Sequence, residues 1–515
     1  METGNKIVIL DFGSQYTKLI ARRVRELSVY SEILPCDTPA KELQDPSIKG
    51  IILSGGPKSV FDEQALDTAP GFWDLDVPIL GICYGLQLMC LKLGGKVENA
   101  SDREYGPAVL DLKATDVPLF KGFGERTRVW MSHGDRLQEA PLGFRVVATS
   151  ENAPITAMIH ESKPLMGIQF HPEVSHTVNG KALLANFVHG VCGCEASWQM
   201  ESYIEQTVAE IRARVGQEHV LLGLSGGVDS AVAALLIHKA IGDQLTCVFV
   251  DHGMMRKNER QDVEASFHGK FGIDLRCVDA SDLFLGLLHE VEDPEKKRKI
   301  IGGTFIDVFD TEAAKLPFKP KFLGQGTLYP DVIESAHAGG PAQTIKSHHN
   351  VGGLPEKMDM KLLEPLRELF KDEVRKVGRL LGLPENLVGR HPFPGPGLAV
   401  RIIEAIDREG IAMLQEADAI FIDMLREHNH YDAVSQAFAV LLPVKTVGIM
   451  GDERTHERVC VLRSVNTTDF MTADWSRLPY DFLAQVSARI VNEVSGINRV
   501  VLDITSKPPG TIEWE

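Results

Sequence analysis

Residues 79–93 read ILGICYGLQLMCLKL, and residues 220–241 read VLLGLSGGVDSAVAALLIHKAI. Each is a short apolar run, a glycine-bearing turn and a longer apolar stretch. The first run is strand-length, and the run after the turn is too long for a strand. Strand, tight turn and helix make the repeating half of a parallel α/β sheet. The alternation extends outward from both stretches. Lys6–Leu10, Gly50–Leu53, Ile79–Ile82 and Met166–Phe170 are predicted strands, and Tyr16–Glu26 and Tyr84–Leu93 predicted helices. Around the second stretch, Val220–Leu224 predicts a strand, Ser225–Val228 a polar turn, Asp229–Ile241 a helix and Leu245–Val250 the next strand. That layout persists to about Leu383. Cys192–Ser197 reads as a boundary, with a helix over Trp198–Val215.

From His391 the pattern changes, because HPFPGPG can be neither helix nor central strand. Beyond it Ala437–Ile449, Arg458–Val465 and Arg499–Thr505 predict strands, and Arg401–His428 and Tyr480–Glu493 amphipathic helices. The expected fold is α/β: two doubly wound parallel-sheet domains, 1–195 and 196–390, followed by a smaller α+β domain, 391–515.

A chain of 515 residues, 44% apolar and 24% charged, has the composition of a globular protein of several domains. Eight cysteines without a CxxC pair exclude a disulfide scaffold and give no zinc signature. The net charge of −17 argues against a nucleic-acid partner, which needs a basic footprint. No apolar run approaches the ~20 residues of a membrane span. The opening METGNKIVILDFGSQY lacks a secretory pattern. A cytoplasmic protein with no membrane partner is expected.

Gly81-Ile-Cys83-Tyr-Gly85 has the layout of a nucleophile elbow, in which two glycines permit a sharp turn that lifts the central side chain above the sheet. A thiol at a helix N-terminus is held toward thiolate by backbone N–H groups and the helix dipole. Acyl chemistry also needs a base and an oxyanion site. His171, in His171-Pro-Glu173 after a predicted strand, is the candidate base, and Glu173 is placed to fix its tautomer. Gly55 and Gly56, in the Ser54-Gly-Gly-Pro57 loop, and the Tyr84 N–H are the candidate oxyanion donors. His133 and His176 are rival bases. Together SGGP, GICYGLQ and HPE resemble the class I glutamine amidotransferases. The resemblance implies a glutaminase with Cys83 as nucleophile, His171 as base and Glu173 as orienter. It also implies substrate contacts from Gln87 and Met131–Asp135.

Ser225-Gly226-Gly227-Val228-Asp229-Ser230-Ala231 stands between strand and helix. Its small residues let backbone N–H groups approach an anion at the helix N-terminus, and the two hydroxyls add donors. No Gly-Lys-Ser/Thr follows, so it is not a Walker A loop. Asp229 puts a carboxylate beside that anion, which calls for a divalent cation between them. SGGVDS resembles the loop of the ATP pyrophosphatases. The resemblance implies cleavage of ATP between its α- and β-phosphates, Mg2+ entering with ATP, and adenosine near Val250 and Asp251. The cluster Lys296-Lys-Arg298-Lys299 is either a solvated helix face or, through Arg298, a phosphate contact. Ser347–Gly353 has the composition of an active-site lid.

The segments GQGTLYPDVIES (324–335), HPFPGPG (391–397), DFMTADW (469–475) and KPPGTIEWE (507–515) resemble the glutamine-hydrolysing GMP synthetase family over the whole chain. The resemblance implies that XMP, ATP and glutamine are the substrates. It implies that ATP adenylates XMP at O2 and that ammonia from glutamine displaces AMP. It implies XMP binding by Arg298, Lys507, Thr511, Ile512 and Glu513. It also implies a homodimer through 391–515, where the apolar Ala439–Pro443 needs a covering surface. A tRNA-thiolating or an NAD-forming ligase is the rival reading. The first should carry basic faces and relay cysteines, and the second uses a different amidase.

Overall fold

Lys6–Asp11 forms a strand because Ile7, Val8, Ile9 and Leu10 are buried on both faces, as central parallel strands are. A computed structural model describes residues 5–114, 116–337, 360–450, 452–467, 470 and 472–515. The chain packs as two compact units, Met1–Tyr203 and Ile204–Glu515.

In the first unit the strands are β1 (Lys6–Asp11), β2 (Tyr30–Pro35), β3 (Ile48–Leu53), β4 (Ile79–Ile82), β5 (Lys96–Leu112), β6 (Arg126–Glu139), β7 (Phe144–Thr149), β8 (Ala157–His160) and β9 (Leu165–Ile168). They form one sheet in the order β2-β1-β3-β4-β9-β8-β7-β5-β6. From β2 to β9 every pairing is parallel. From β9 onward every pairing is antiparallel, an extension the sequence reading did not anticipate. The fourth predicted strand ends at Ile168 rather than Phe170, which frees Gln169–Glu173 as a loop at the carboxyl end of the parallel part. Val8, Leu10, Ile51, Leu53, Ile79, Leu86 and Met89 belong to the core under this loop edge.

The second unit begins with β10 (Val220–Leu224), β11 (Leu245–Asp251), β12 (Asp274–Asp279), β13 (Phe322–Gly324) and β14 (Lys361–Leu363). They form a parallel sheet in the order β12-β11-β10-β13-β14. Beside it in sequence lies an antiparallel hairpin of β15 (Gln436–Met450) and β16 (Glu453–Asn466). The short β17 (Asp474–Trp475) and β18 (Ile497–Asp503) pair with β16. One apolar cluster runs through Leu221, Val248, Phe284, Leu398, Leu414, Phe421, Leu441, Leu462 and Ile490, so residues 391–515 share a core with the parallel sheet.

The amphipathic pattern over Arg401–His428 becomes helix only over Arg408–Glu427. The Asp407 side chain accepts from the Gly410 N–H and fixes the start. The apolar residues Ala439, Val440 and Leu441 are fully buried within the unit. They need no partner to cover them, contrary to the sequence argument. The exposed apolar side chains lie further on, at Val444, Val447 and Ile449 of β15 and Val501 of β18.

Candidate active sites

Cys83 follows β4 and precedes the helix Tyr84–Lys92 with φ +53°, a left-handed value costly for a residue with a side chain. The flanking glycines make this turn possible by their lack of side chains. A Cβ on Gly81 would lie 2.7 Å from the Gly85 carbonyl carbon, and one on Gly85 would lie 2.5 Å from Leu53 Cβ. The Cys83 N–H donates to the Ile168 carbonyl (2.8 Å), and its Sγ lies 3.5 Å from the Ser132 carbonyl and 3.6 Å from Gln169 Nε2.

His171 Nδ1 is 2.7 Å from Glu173 Oε1, and both side chains are buried. The loop is pinned: the His171 N–H donates to Trp130 O (3.0 Å), Thr177 Oγ1 donates to His171 O (2.6 Å), and Arg23 Nε donates to Glu173 O (3.0 Å). The Tyr16 ring meets the imidazole edge-on at 5.2 Å. A Cβ on Gly55 would lie 3.1 Å from the imidazole Cε1 and 3.8 Å from Cys83 Cβ, so the three residues converge. Burial alone would lower the His171 pKa. The charge of Glu173 and hydrogen bonds with Cys83 and Glu173 outweigh it and hold the imidazole well above its ordinary value.

The rival histidines stand elsewhere. His133 lies between Glu104 Oε2 (3.1 Å) and the Asp135 carbonyl (3.0 Å), and the exposed His176 lies against the Trp130 ring at a tilt of 35°. Gln87 is buried, with its amide donating to the Asp135 carbonyl (3.0 Å). Gly56 closes against the Phe12 carbonyl, 2.9 Å from where its Cβ would be. The buried Tyr84 directs its hydroxyl away to Leu66 O (2.6 Å). Sequence reasoning missed Gln169.

In the second unit, Ser225–Gly227 forms the turn after β10, with Gly226 at φ +75°, and the helix Val228–Ile241 follows. The Ser230 hydroxyl lies 3.1 Å from both Ser225 Oγ and the Gly227 carbonyl, and Ser225 Oγ accepts from the Gly227 N–H (3.4 Å). Val228 and Ala231 are buried behind the turn, as is Val250 at the end of β11. Asp251 Oδ1 accepts from the Gly253 N–H (2.9 Å).

Asp229 carries two features the sequence did not reveal. Its Oδ2 is ion-paired with Lys371, so a cation other than a metal already offsets part of its charge. Its Oδ1 is buried with no hydrogen-bond partner. That orphaned oxygen fits a Mg2+ ion arriving with ATP, because Mg2+ takes one or two carboxylates and completes its shell with phosphates and water. Among the described residues no group of three or more His, Cys, Asp or Glu could hold a metal alone. Arg390 also joins the loop, donating to Gly226 O (3.1 Å) and pairing with Glu259 (2.9 Å).

The expected XMP residues are placed as follows. Arg298 is part-exposed on the helix Pro294–Ala314 and paired with Glu295 (2.7 Å). Lys507 Nζ donates to Phe470 O (2.7 Å), and the Thr511 hydroxyl to Glu513 O. Ile512 is buried in a small cluster with Phe438, Val440 and Val461. Glu513 accepts two hydrogen bonds from Arg401 (2.8 and 3.0 Å) and one from Gln436 (2.7 Å). Ser347–Gly353 lies outside the described residues.

Comparison with known proteins covers the stretches that hold both constellations. The family model described as "Glutamine amidotransferase class-I" matches residues 8–191, "NAD synthase" matches 198–301 and "GMP synthase C terminal domain" matches 423–514. A protein of Azoarcus sp. (strain BH72) named "GMP synthase [glutamine-hydrolyzing]" is 57% identical, over 99% of both chains. Proteins of the same name from Aquifex aeolicus (57%, 99% of both chains) and Maridesulfovibrio salexigens (54%, all of both chains) are similarly related. An elbow cysteine with its His–Glu pair and a pyrophosphatase-type loop thus occur in a chain whose relatives match it from end to end. The chain belongs to the glutamine-hydrolysing GMP synthase family.

Proposed function

We propose that the two sites divide glutamine-dependent GMP synthesis between them. Cys83 attacks the amide carbon of glutamine. His171, oriented by Glu173, gives its proton to the departing ammonia, and the oxyanion rests on N–H groups of Gly55, Gly56 and Tyr84. Water then releases glutamate from the thioester. At the second site the Ser225–Ala231 loop binds the ATP phosphates, with Val250 and Asp251 toward the adenosine, while XMP O2 attacks the α-phosphate. Ammonia displaces AMP at C2 of the adenylated base. Asp229 Oδ1 would hold the Mg2+ that enters with ATP, which would supply charge to offset the phosphates. XMP is bound by Arg298, Lys507, Thr511, Ile512 and Glu513. Because Glu513 is fastened to Arg401, its contribution comes from a carboxylate fixed in advance. The substrates are XMP, ATP and glutamine.

Residues 1–195, 196–390 and 391–515 carry the amidotransferase, pyrophosphatase and dimerisation roles. No helix among the described residues is long and apolar enough to cross a membrane. The exposed Val444, Val447, Ile449 and Val501 supply the surface for a homodimer.

The orphaned Oδ1 of Asp229 beside the anion-binding turn carries the second-site reading most directly. The test is a product assay with XMP, Mg–ATP and glutamine. GMP, AMP, pyrophosphate and glutamate are expected in equal amounts, and ADP as the main nucleotide product would overturn the reading.

A further inference from the structure

Lys297 sits in the basic run Lys296-Lys-Arg298-Lys299 that opens the helix Pro294–Ala314, yet it does not share that run's solvation. Lys296 and Lys299 are exposed and Arg298 partly so, whereas the Lys297 side chain is 0% exposed. An ammonium has three N–H donors. All three are used: Nζ lies 2.8 Å from the Ile402 carbonyl, 3.1 Å from the Ala399 carbonyl and 2.8 Å from Glu515 Oε2. The Glu515 side chain is itself only 9% exposed. Burial raises its carboxyl pKa, even though Lys297 and Arg298 act to lower it.

Together with the helix, these partners join three segments. The helix also carries Arg298. Between the two carbonyls stands Arg401, fully buried, whose guanidinium grips Glu513. Glu515 closes the segment that holds Lys507, Thr511, Ile512 and Glu513. A third buried cation, Arg463, takes the carbonyls of Thr505, Thr511 and Ile512 at 2.8–2.9 Å. A buried ion pair is a poor way to gain stability, because desolvation consumes most of the attraction. What such a pair supplies is one geometry.

We infer that Lys297 is a positioning residue for the second site: by tying Glu515 to the Ala399 and Ile402 carbonyls that flank Arg401, it sets where the Arg401–Glu513 pair stands and thereby the affinity for XMP. The inference rests on the reading of 507–513 as XMP-binding. Arg463 fastens the Thr505, Thr511 and Ile512 carbonyls and Arg401 grips Glu513, so losing the Lys297–Glu515 tie frees both the 399–402 turn that carries Arg401 and the residue two beyond Glu513.

The test is steady-state kinetics on full-length Glu515→Ala, Glu515→Gln, Lys297→Met and Lys507→Ala, with thermal melting of each. Glu515→Ala should raise KM for XMP about tenfold, the loss of one charge-assisted hydrogen bond. KM for ATP and the rate of glutamine hydrolysis should stay within about twofold, the scatter of an uncoupled site. Glu515→Gln should restore much of the affinity, because its amide oxygen still accepts from the ammonium. Lys297→Met should match or exceed Glu515→Ala. If Glu515→Ala lowers only the melting temperature while Lys507→Ala raises KM for XMP, Lys297 is merely structural and the inference fails alone. If Lys507→Ala also leaves KM for XMP unchanged, the reading of the 507–513 segment fails and takes the inference with it.

Discussion

At the scale of single residues, the first site depends on an imidazole that holds its proton more tightly in the folded protein than in the unfolded chain, where a histidine titrates near ~6.5. Stability from such a group is fully present below about pH 6.5 and is lost as pH rises through the higher folded value. Part of the rise comes from Cys83. Cys83→Ala should therefore move the His171 titration downward, as read by NMR of labelled histidine. An unmoved titration would mean the sulfur is not in contact. The same variant should lose glutamine-dependent synthesis by roughly 10⁴–10⁶-fold, the scale of deleting a nucleophile. Synthesis from ammonium salts should survive, because the second site lies in the other unit. Asp229→Asn should stop AMP formation with either nitrogen source, and isotope-labelled ATP would show no pyrophosphate release. It also removes the carboxylate oxygen placed to hold the Mg2+ of ATP, so weaker Mg–ATP binding should accompany the lost turnover. Cys83, His171, Glu173 and the Ser225–Ser230 loop were legible in the sequence because each lies within a few residues of its own strand end. Lys371, Arg390 and Gln169 were not, because the first two arrive from distant segments and the third resembles any buried glutamine.

Elements tell the same story at longer range. The elbow is a strand, a turn and a helix pressed together until no side chain fits between them. Gly85→Ala would place a methyl group 2.5 Å from Leu53 Cβ and 2.7 Å from Leu53 O. Overpacking of this kind costs about 1–3 kcal/mol, and the shift should also displace Cys83. Denaturant unfolding should show that loss together with a fall in glutaminase activity. A stable Gly85→Ala protein with full activity would contradict the geometry. The antiparallel extension escaped notice for a physical reason. β6 alternates correctly, but Thr127, His133 and Asp135 occupy half of its six buried positions, so its hydrophobic period is diluted. The opposite error occurred at 401–407, where buried apolar residues imitate a helical face. In the second unit, Arg401→Ala would leave Glu513 without its main cation. Since Glu513 is 22% exposed, the cost should fall at or below the low end of the 3–5 kcal/mol for a broken buried pair, about 2–3 kcal/mol, measurable as a lower urea midpoint.

Over the whole molecule, two sheets with strand-end sites were expected and are present. The self-sufficiency of the last 125 or so residues, which the change in composition at His391 suggested, does not describe the packing, because the core of the parallel sheet continues into Leu414, Leu441 and Leu462. Sequence composition registers where a chain changes style, whereas a core is defined by which faces meet. The proposed homodimer belongs to this scale. Val447→Asp with Ile449→Asp should halve the mass seen by light scattering. An unchanged mass would move the interface elsewhere. The continuous core also has a consequence for how the second unit opens. Leu221 in β10 and Leu462 in β16 belong to one apolar cluster, and their amide hydrogens share its protection. They should therefore exchange with deuterium only through the same rare opening and at matched free energy. Those on the exposed end of β15, around Val447, should exchange far sooner in a lone subunit. Slowed exchange there as protein concentration rises would record the second subunit closing over them.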